Sequence, residues 1–121
     1  MMEMVLGIGG LFFRARDPSA LAEWYRDRLG IDLVPEGPDG QVWMQAAGPT
    51  VFAPFPADTD YFGADRMFML NFRVADLDAM LAQLRSAGEA VGEVQEMDPI
   101  GRFSRLDDPE GNPIELWEPA G

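Results

Sequence analysis

The side chains available for chemistry in this 121-residue chain are carboxylates, arginines, hydroxyls and two tyrosines, because histidine, cysteine and lysine are all absent. The lack of histidine removes the usual proton shuttle near neutral pH and the commonest metal ligand. The lack of cysteine and lysine removes thiolate nucleophiles, Schiff-base chemistry and P-loops. Any chemistry must therefore come from carboxylates, Tyr25, Tyr61, Arg, Ser, Thr or backbone groups.

The charge balance argues against two classes of partner. Twenty-one Asp and Glu residues against nine arginines give a formal net charge of -12. Such a surface repels phosphate backbones and anionic membranes, so we expect neither a nucleic-acid nor a membrane partner. No apolar run approaches the ~18 residues of a membrane span, and Met1–Met4 does not resemble a signal peptide, so we expect a cytoplasmic location.

Two helices are predicted from their start and stop signals. Asp17-Pro18 is typical of an N-cap followed by proline at the first helical position, and Gly30 is typical of a helix end, which predicts a helix over Pro18–Leu29. A second helix follows Asp76 and stops at Gly88, with leucines at helical spacing between them.

An internal duplication organises the chain. Gly10–Asp17 aligns with Met69–Asp76 at a constant offset of 59 residues, and the two segments share Leu, Phe, Arg and Asp. Short extended segments accompany each helix. They are predicted around Val5–Ala15, Ile31–Val34, Gln41–Ala46 and Thr50–Phe55 in the first half, and around Met67–Val74, Ala90–Glu96, Arg102–Leu106 and Pro113–Trp117 in the second.

Two motifs carry a family resemblance. Trp24-Tyr25-Arg26-Asp27-Arg28-Leu29-Gly30 and Asp108-Pro109-Glu110-Gly111-Asn112-Pro113-Ile114-Glu115-Leu116 resemble a helix end and a closing hairpin of the vicinal oxygen chelate superfamily, which includes glyoxalases, bleomycin-resistance proteins and extradiol dioxygenases. The resemblance implies an α+β fold of two tandem βαβββ modules, which form a cupped, mostly antiparallel sheet with helices on its outer face. Within a single domain over 1–121, module 1 covers about 5–56, a linker covers 57–66, and module 2 covers about 67–119.

The resemblance also implies where a metal would bind. Family enzymes hold a divalent metal with residues from the first and last strands of each module, and the corresponding positions here are Gly10, Phe52, Met69 and Glu115. Only Glu115 is a ligand for a hard cation, whereas a catalytic metal needs about three protein ligands. We therefore expect no metal and no cofactor.

The inner face of the implied cup is predicted from strand alternation and from the repeat. Arg14 and Arg73 either bind an anionic group of a ligand or pair with Glu115. The aromatic side chains either contact a ligand or belong to the core or to a dimer interface. The predicted ligand-binding residues are Phe12, Arg14, Trp43, Phe52, Met69, Asn71, Arg73 and Trp117.

Glu115 is the candidate catalytic residue, because a carboxylate in an aromatic cup acts as a general base when burial raises its pKa; the other interpretation is a remnant of the family's metal site. The 57–66 segment is either a lid over the cup or a solvated acidic linker. The primary hypothesis is a metal-free protein that holds an apolar or aromatic molecule, similar to bleomycin-resistance proteins. The alternatives are a glyoxalase-like lyase, isomerase or dioxygenase that uses Glu115, and a dimeric structural module. All three predict a homodimer.

Overall fold

Both predicted helices form, and each begins at an aspartate. The computed structural model describes residues 2–35, 37–40 and 42–121. Helix α1 covers Pro18–Leu29 and helix α2 covers Leu77–Ser86. Asp17 accepts a hydrogen bond from the Ala20 backbone at 3.1 Å, and Asp76 accepts one from Ala79 at 3.0 Å, so each aspartate satisfies an amide that the first helical turn leaves unpaired.

The second half of the chain forms a four-stranded sheet. Its strands are β1 (Leu70–Arg73), β2 (Gln95–Met97), β3 (Gly101–Asp107) and β4 (Pro113–Pro119). They lie in the order β1-β4-β3-β2, with β1 parallel to β4 and the other pairs antiparallel. Each strand overlaps a segment that the sequence predicts as extended, which confirms the α+β class.

The first half differs from its prediction. In their described residues, the segments 5–15, 31–34, 42–46 and 50–55 form no strand, and Gln41 lies outside the described residues. A strand needs a partner for its backbone hydrogen bonds. Glycine and proline, which are frequent in and around these segments, weaken strand formation. The prediction of strands there is therefore wrong for this structure, and the arrangement as two βαβββ modules stays a prediction.

One hydrophobic core lies between the helices and one face of the sheet. Leu77 and Leu84 of α2 and Ile114 and Leu116 of β4 are fully buried. Helix α1 adds Leu21 and Tyr25 to this core. The helices thus cover one sheet face and leave the opposite face, which we call the open face, for other contacts. Among the described residues, no helix has the length and apolar character needed to cross a bilayer.

A closing hairpin ties α1 to the second half. The Tyr25 hydroxyl donates a buried hydrogen bond to Asp108, in the β3–β4 turn, at 2.6 Å. Glu110 of the same turn accepts from the backbone amides of Arg16 and Asp17 at 2.6 and 3.0 Å. Both motifs that carried the family resemblance therefore meet at this junction, where they position α1 against the sheet.

Candidate functional site

Strand alternation places a line of chemically useful side chains on the open face. Ile114 and Leu116 of β4 face the helices, so Glu115 and Trp117 face the other way. The sheet register sets Asn71 of β1 and Arg105 of β3 on either side of Glu115. Phe103 and Arg73 lie on either side of Trp117 in the same way.

Glu115 lies at the centre of this face and is 6 % exposed. Its Oε2 accepts a hydrogen bond from the Tyr61 hydroxyl at 2.5 Å, and its Oε1 accepts one from the Asn71 amide at 2.8 Å. No arginine nitrogen of the described residues lies within 4.0 Å of this carboxylate. The hydrogen-bond donors that hold Glu115 are therefore neutral.

Tyr61 reaches Glu115 from the segment that the sequence analysis treats as a linker or a lid. Its ring packs edge-on against Phe55 at 5.7 Å, and the guanidinium carbon of Arg105 lies 5.1 Å from the ring centroid. Arg105 also donates a hydrogen bond to the Tyr61 carbonyl at 2.8 Å. Burial, followed by the hydrogen bond to Glu115, raises the pKa of Tyr61, so its hydroxyl stays a donor at neutral pH.

A second contact holds the same segment farther along. Arg66 donates to the Glu110 carbonyl at 2.8 Å and to the Asn112 side chain at 3.2 Å. The 57–66 segment is thus attached to the second half at Tyr61 and at Arg66, and it passes over one side of the open face.

A cleft of about 310 Å³ opens beside Glu115. Its lining comprises Glu115 of β4, Tyr61 of the 57–66 segment, three consecutive residues of β3 and three residues at or before the start of β2: Phe103, Ser104, Arg105, Gly92, Glu93 and Gln95. The Phe103 ring lies parallel to that of Trp117, with centroids 6.0 Å apart and an interplanar angle of 3°. The cleft therefore combines aromatic surface with both signs of charge, which suits a small, partly apolar organic molecule.

The predicted ligand-binding residues divide between the two halves of the chain. Asn71, Arg73 and Trp117 lie on the open face, and Met69 immediately precedes β1. The first-half residues do not join them: Phe12 and Phe52 are 96 % and 83 % exposed, and Trp43 and Arg14 are also exposed.

Of the two roles predicted for Arg73, pairing with Glu115 is not observed, and binding of an anionic ligand group stays a prediction. The Arg73 guanidinium donates to the Ala46 carbonyl at 2.8 Å, so it ties the 46–48 segment to the open face and does not pair with Glu115. In this structure the residue thus has a structural contact with the first half of the chain.

The predicted ligand-binding residues did not include Tyr61, Phe103 and Arg105, although Tyr61 was among the side chains available for chemistry. Phe103 and Arg105 alternate along a segment that was predicted as a strand and lie opposite Trp117 and Glu115 in the hairpin, so hairpin register was the signal that would have found them. Tyr61 offered no such signal, because its contact with Glu115 depends on how the 57–66 segment packs.

The side chains at the positions equivalent to the family's metal ligands do not fit a divalent metal. No group of three His, Cys, Asp or Glu residues is gathered in 2–35, 37–40 and 42–121. Of the four equivalent positions, Glu115 alone carries a ligand type, and both of its oxygens already accept hydrogen bonds. A site of about three protein ligands is not assembled from these residues.

Comparison with known proteins places this architecture in a family. Residues 10–117 match the family model described as a glyoxalase-like domain. A search of the curated proteins found no significant match. Among solved structures, TnmS3, an antibiotic binding protein from Streptomyces sp. CB03234, is 28 % identical, with a TM-score of 0.62 over 98 % of this chain and 100 % of the other.

Two further structures share the fold at lower identity. A glyoxylase/bleomycin resistance protein/dioxygenase domain from Frankia sp. EAN1pec is 22 % identical, with a TM-score of 0.61 over 96 % of this chain and 99 % of the other. Lactoylglutathione lyase from Agrobacterium tumefaciens is 19 % identical, with a TM-score of 0.53 over 86 % and 87 % of the two chains. With the family match extending from residue 10 to residue 117, the chain belongs to the glyoxalase-like domain family.

Proposed function

We propose that this protein binds a small aromatic or apolar molecule in the cleft beside Glu115 and returns it unchanged, without a metal or another cofactor. The observation that carries the proposal is the composition of the cleft: Phe103 and Tyr61 supply aromatic surface, and Glu115 supplies one buried polar anchor. Such a combination holds a ligand by apolar burial and orients it by a few polar contacts.

The similarity to an antibiotic binding protein supports the same proposal. TnmS3 is 28 % identical over nearly the whole of both chains, and its description names binding of an antibiotic. By that similarity, antibiotics are the first ligand class to screen.

A thermal-shift screen tests the binding function, because a ligand selective for the folded state raises its melting temperature. The screen uses antibiotics and small aromatic molecules, each with and without EDTA. We expect a shift of several degrees that is insensitive to the chelator and absent in Phe103→Ala. Met97→Ala, which removes an apolar side chain of β2 that does not line the cleft, is the matched control. A shift that requires an added divalent metal would contradict the proposal.

The alternative function is a glyoxalase-like lyase, isomerase or dioxygenase, and the Tyr61–Glu115 hydrogen bond is the observation that favours it. A carboxylate base beside a phenolic donor is a usable arrangement for proton transfer. Replacement of Glu115 by alanine separates the two functions. If the variant loses a measured turnover but keeps its ligand affinity, the protein is an enzyme. If the protein only binds its ligand, the unsubstituted chain shows no turnover.

We also propose that the protein forms a homodimer in the cytoplasm. Large apolar side chains in the first half are exposed, among them Leu6 and Phe12, and their burial by a second copy would remove this surface from water. Sedimentation equilibrium should give about twice the chain mass of 13.4 kDa. A single-chain mass at high concentration would contradict the dimer. A dimer without saturable ligand binding would instead indicate a structural module.

A further inference from the structure

We infer that the cleft selects ligands in which an aromatic ring carries a cationic nitrogen, with Glu115 as the residue that recognises the cation. The inference rests on the proposed binding function and adds the chemical class of the ligand. It follows from three features of the cleft. Glu115 has only neutral hydrogen-bond partners, Arg105 already contacts Tyr61, and aromatic side chains line the cleft.

Glu115 is a buried carboxylate whose hydrogen-bond partners are neutral. The Tyr61 hydroxyl and the Asn71 amide each use one acceptor position, and each carboxylate oxygen retains a further lone pair. Within the described part of the chain, no arginine nitrogen approaches this carboxylate to 4.0 Å. A buried charge is costly without a counter-charge, so a ligand that brings a cation supplies what the site lacks.

Arg105 is the opposing feature, since it lines the same cleft and would attract an anion. However, its guanidinium donates to the Tyr61 carbonyl at 2.8 Å and lies over the Tyr61 ring at 5.1 Å, so it is already engaged. An anion that reached Arg105 would also meet the carboxylates of Glu93 and Glu115, which line the cleft as well. Two carboxylates against one guanidinium favour a cation.

The walls of the cleft add to this preference. Tyr61 and Phe103 present aromatic rings to its interior, and the faces of such rings attract cations. The same rings provide apolar contact for the aromatic part of a ligand. A molecule that joins a ring to an ammonium group therefore matches both the surface and the charge of the cleft.

Three naphthalene probes of nearly equal shape test the inference: 1-naphthylmethylammonium, 1-naphthalenemethanol and 1-naphthoate. Isothermal titration of the full chain in EDTA should show the ammonium binding about tenfold more tightly than the alcohol, as expected for a hydrogen bond to a charged group, with the carboxylate weakest. Affinity for the ammonium should fall as NaCl is raised, whereas affinity for the alcohol should not.

Two variants assign the effect to Glu115. Glu115→Gln should remove most of the preference for the ammonium and leave alcohol binding within about threefold, because the amide keeps the shape of the side chain but not its charge. Met97→Ala, which changes a side chain outside the cleft, should retain the preference. Retention of the full preference by Glu115→Gln would overturn the role given to Glu115.

The outcomes separate this inference from the proposed function. Equal affinity for the three probes, or tighter binding of naphthoate, would overturn the preference for a cation and leave the binding function intact. Absence of binding by all three probes would also overturn it. The proposed function fails separately, if the wider thermal-shift screen yields no chelator-insensitive ligand.

Discussion

Leu70 and Leu11 occupy equivalent positions of the internal repeat, yet Leu70 is 8 % exposed and Leu11 is 53 % exposed. Leu70 begins β1, which pairs with β4 and packs on the core. Leu11 lies in a segment that forms no strand in its described residues. The same local pattern therefore has two outcomes, because strand formation depends on a distant partner and not on the pattern alone.

The helices of the two halves begin with the same kind of cap. Both α1 and α2 begin at an aspartate whose side chain accepts from the backbone three residues later. Helix capping is local, so the repeat predicts it equally well in both halves. The difference between the halves is thus a difference in long-range contacts.

The largest expected effect comes from truncating the two equivalent leucines. Leu70→Ala removes buried methyl groups from the core and should lower the free energy of unfolding by about 2–5 kcal/mol. Leu11→Ala removes a half-exposed side chain and should lower it by less than about 1 kcal/mol. Denaturant unfolding at low protein concentration measures both. Equal losses at that concentration would show that Leu11 is buried in the isolated chain, against this structure.

A smaller effect is expected at the contact that joins the halves. Tyr25→Phe removes the buried donor to Asp108 and should lower the free energy of unfolding by about 1–2 kcal/mol. Tyr61→Phe is the matched control, because its hydroxyl also donates to a carboxylate but the residue is 41 % exposed. Thermal unfolding of the two variants should rank Tyr25→Phe as the more damaging. The reverse ranking would mean that the 57–66 segment, not the hairpin, holds the halves together.

Removal of either helix cap should lower the free energy of unfolding by a similar amount. Asp17→Ala and Asp76→Ala each remove one side-chain acceptor at a helix start, so each should lower the free energy of unfolding by about 1 kcal/mol. Urea titrations compare them, with the surface substitution Asp39→Ala, away from both helices, as the control. If only one of the two substitutions lowers the free energy of unfolding, helix capping is not a local property in both halves.

The smallest signal is a change in tyrosine titration. Burial, followed by the hydrogen bond to Glu115, raises the pKa of Tyr61 above its ordinary 10.0. Glu115→Gln should therefore lower this pKa, whereas the pKa of Tyr25, which burial also raises, should not change. Because the folded pKa is raised, this contribution to stability is present below pH 10 and is lost as pH rises through the folded value. Absorbance at 295 nm follows both tyrosines. An unchanged curve would contradict the Tyr61–Glu115 contact.

The sequence predicts the local features and those site residues that lie in the second half of the chain. Helix caps, the family motifs, and the shared face of Asn71, Arg73, Glu115 and Trp117 follow from spacing and alternation. The first-half strands could not be predicted correctly, since Gly7, Gly9 and Gly10 interrupt that segment where the second half has larger side chains. Tyr61 was missed as a site residue because its position depends on the packing of a segment without periodicity.

The most direct test of the binding function recovers the ligand after it has been bound. Chelator-treated protein is incubated with the strongest ligand from the thermal-shift screen, titrated by calorimetry, and the ligand is then extracted and identified by mass spectrometry. We expect saturable binding that is weakened by Phe103→Ala, and recovery of the ligand with its mass and structure unchanged. Recovery of a converted product that forms only when a divalent metal is restored would contradict it.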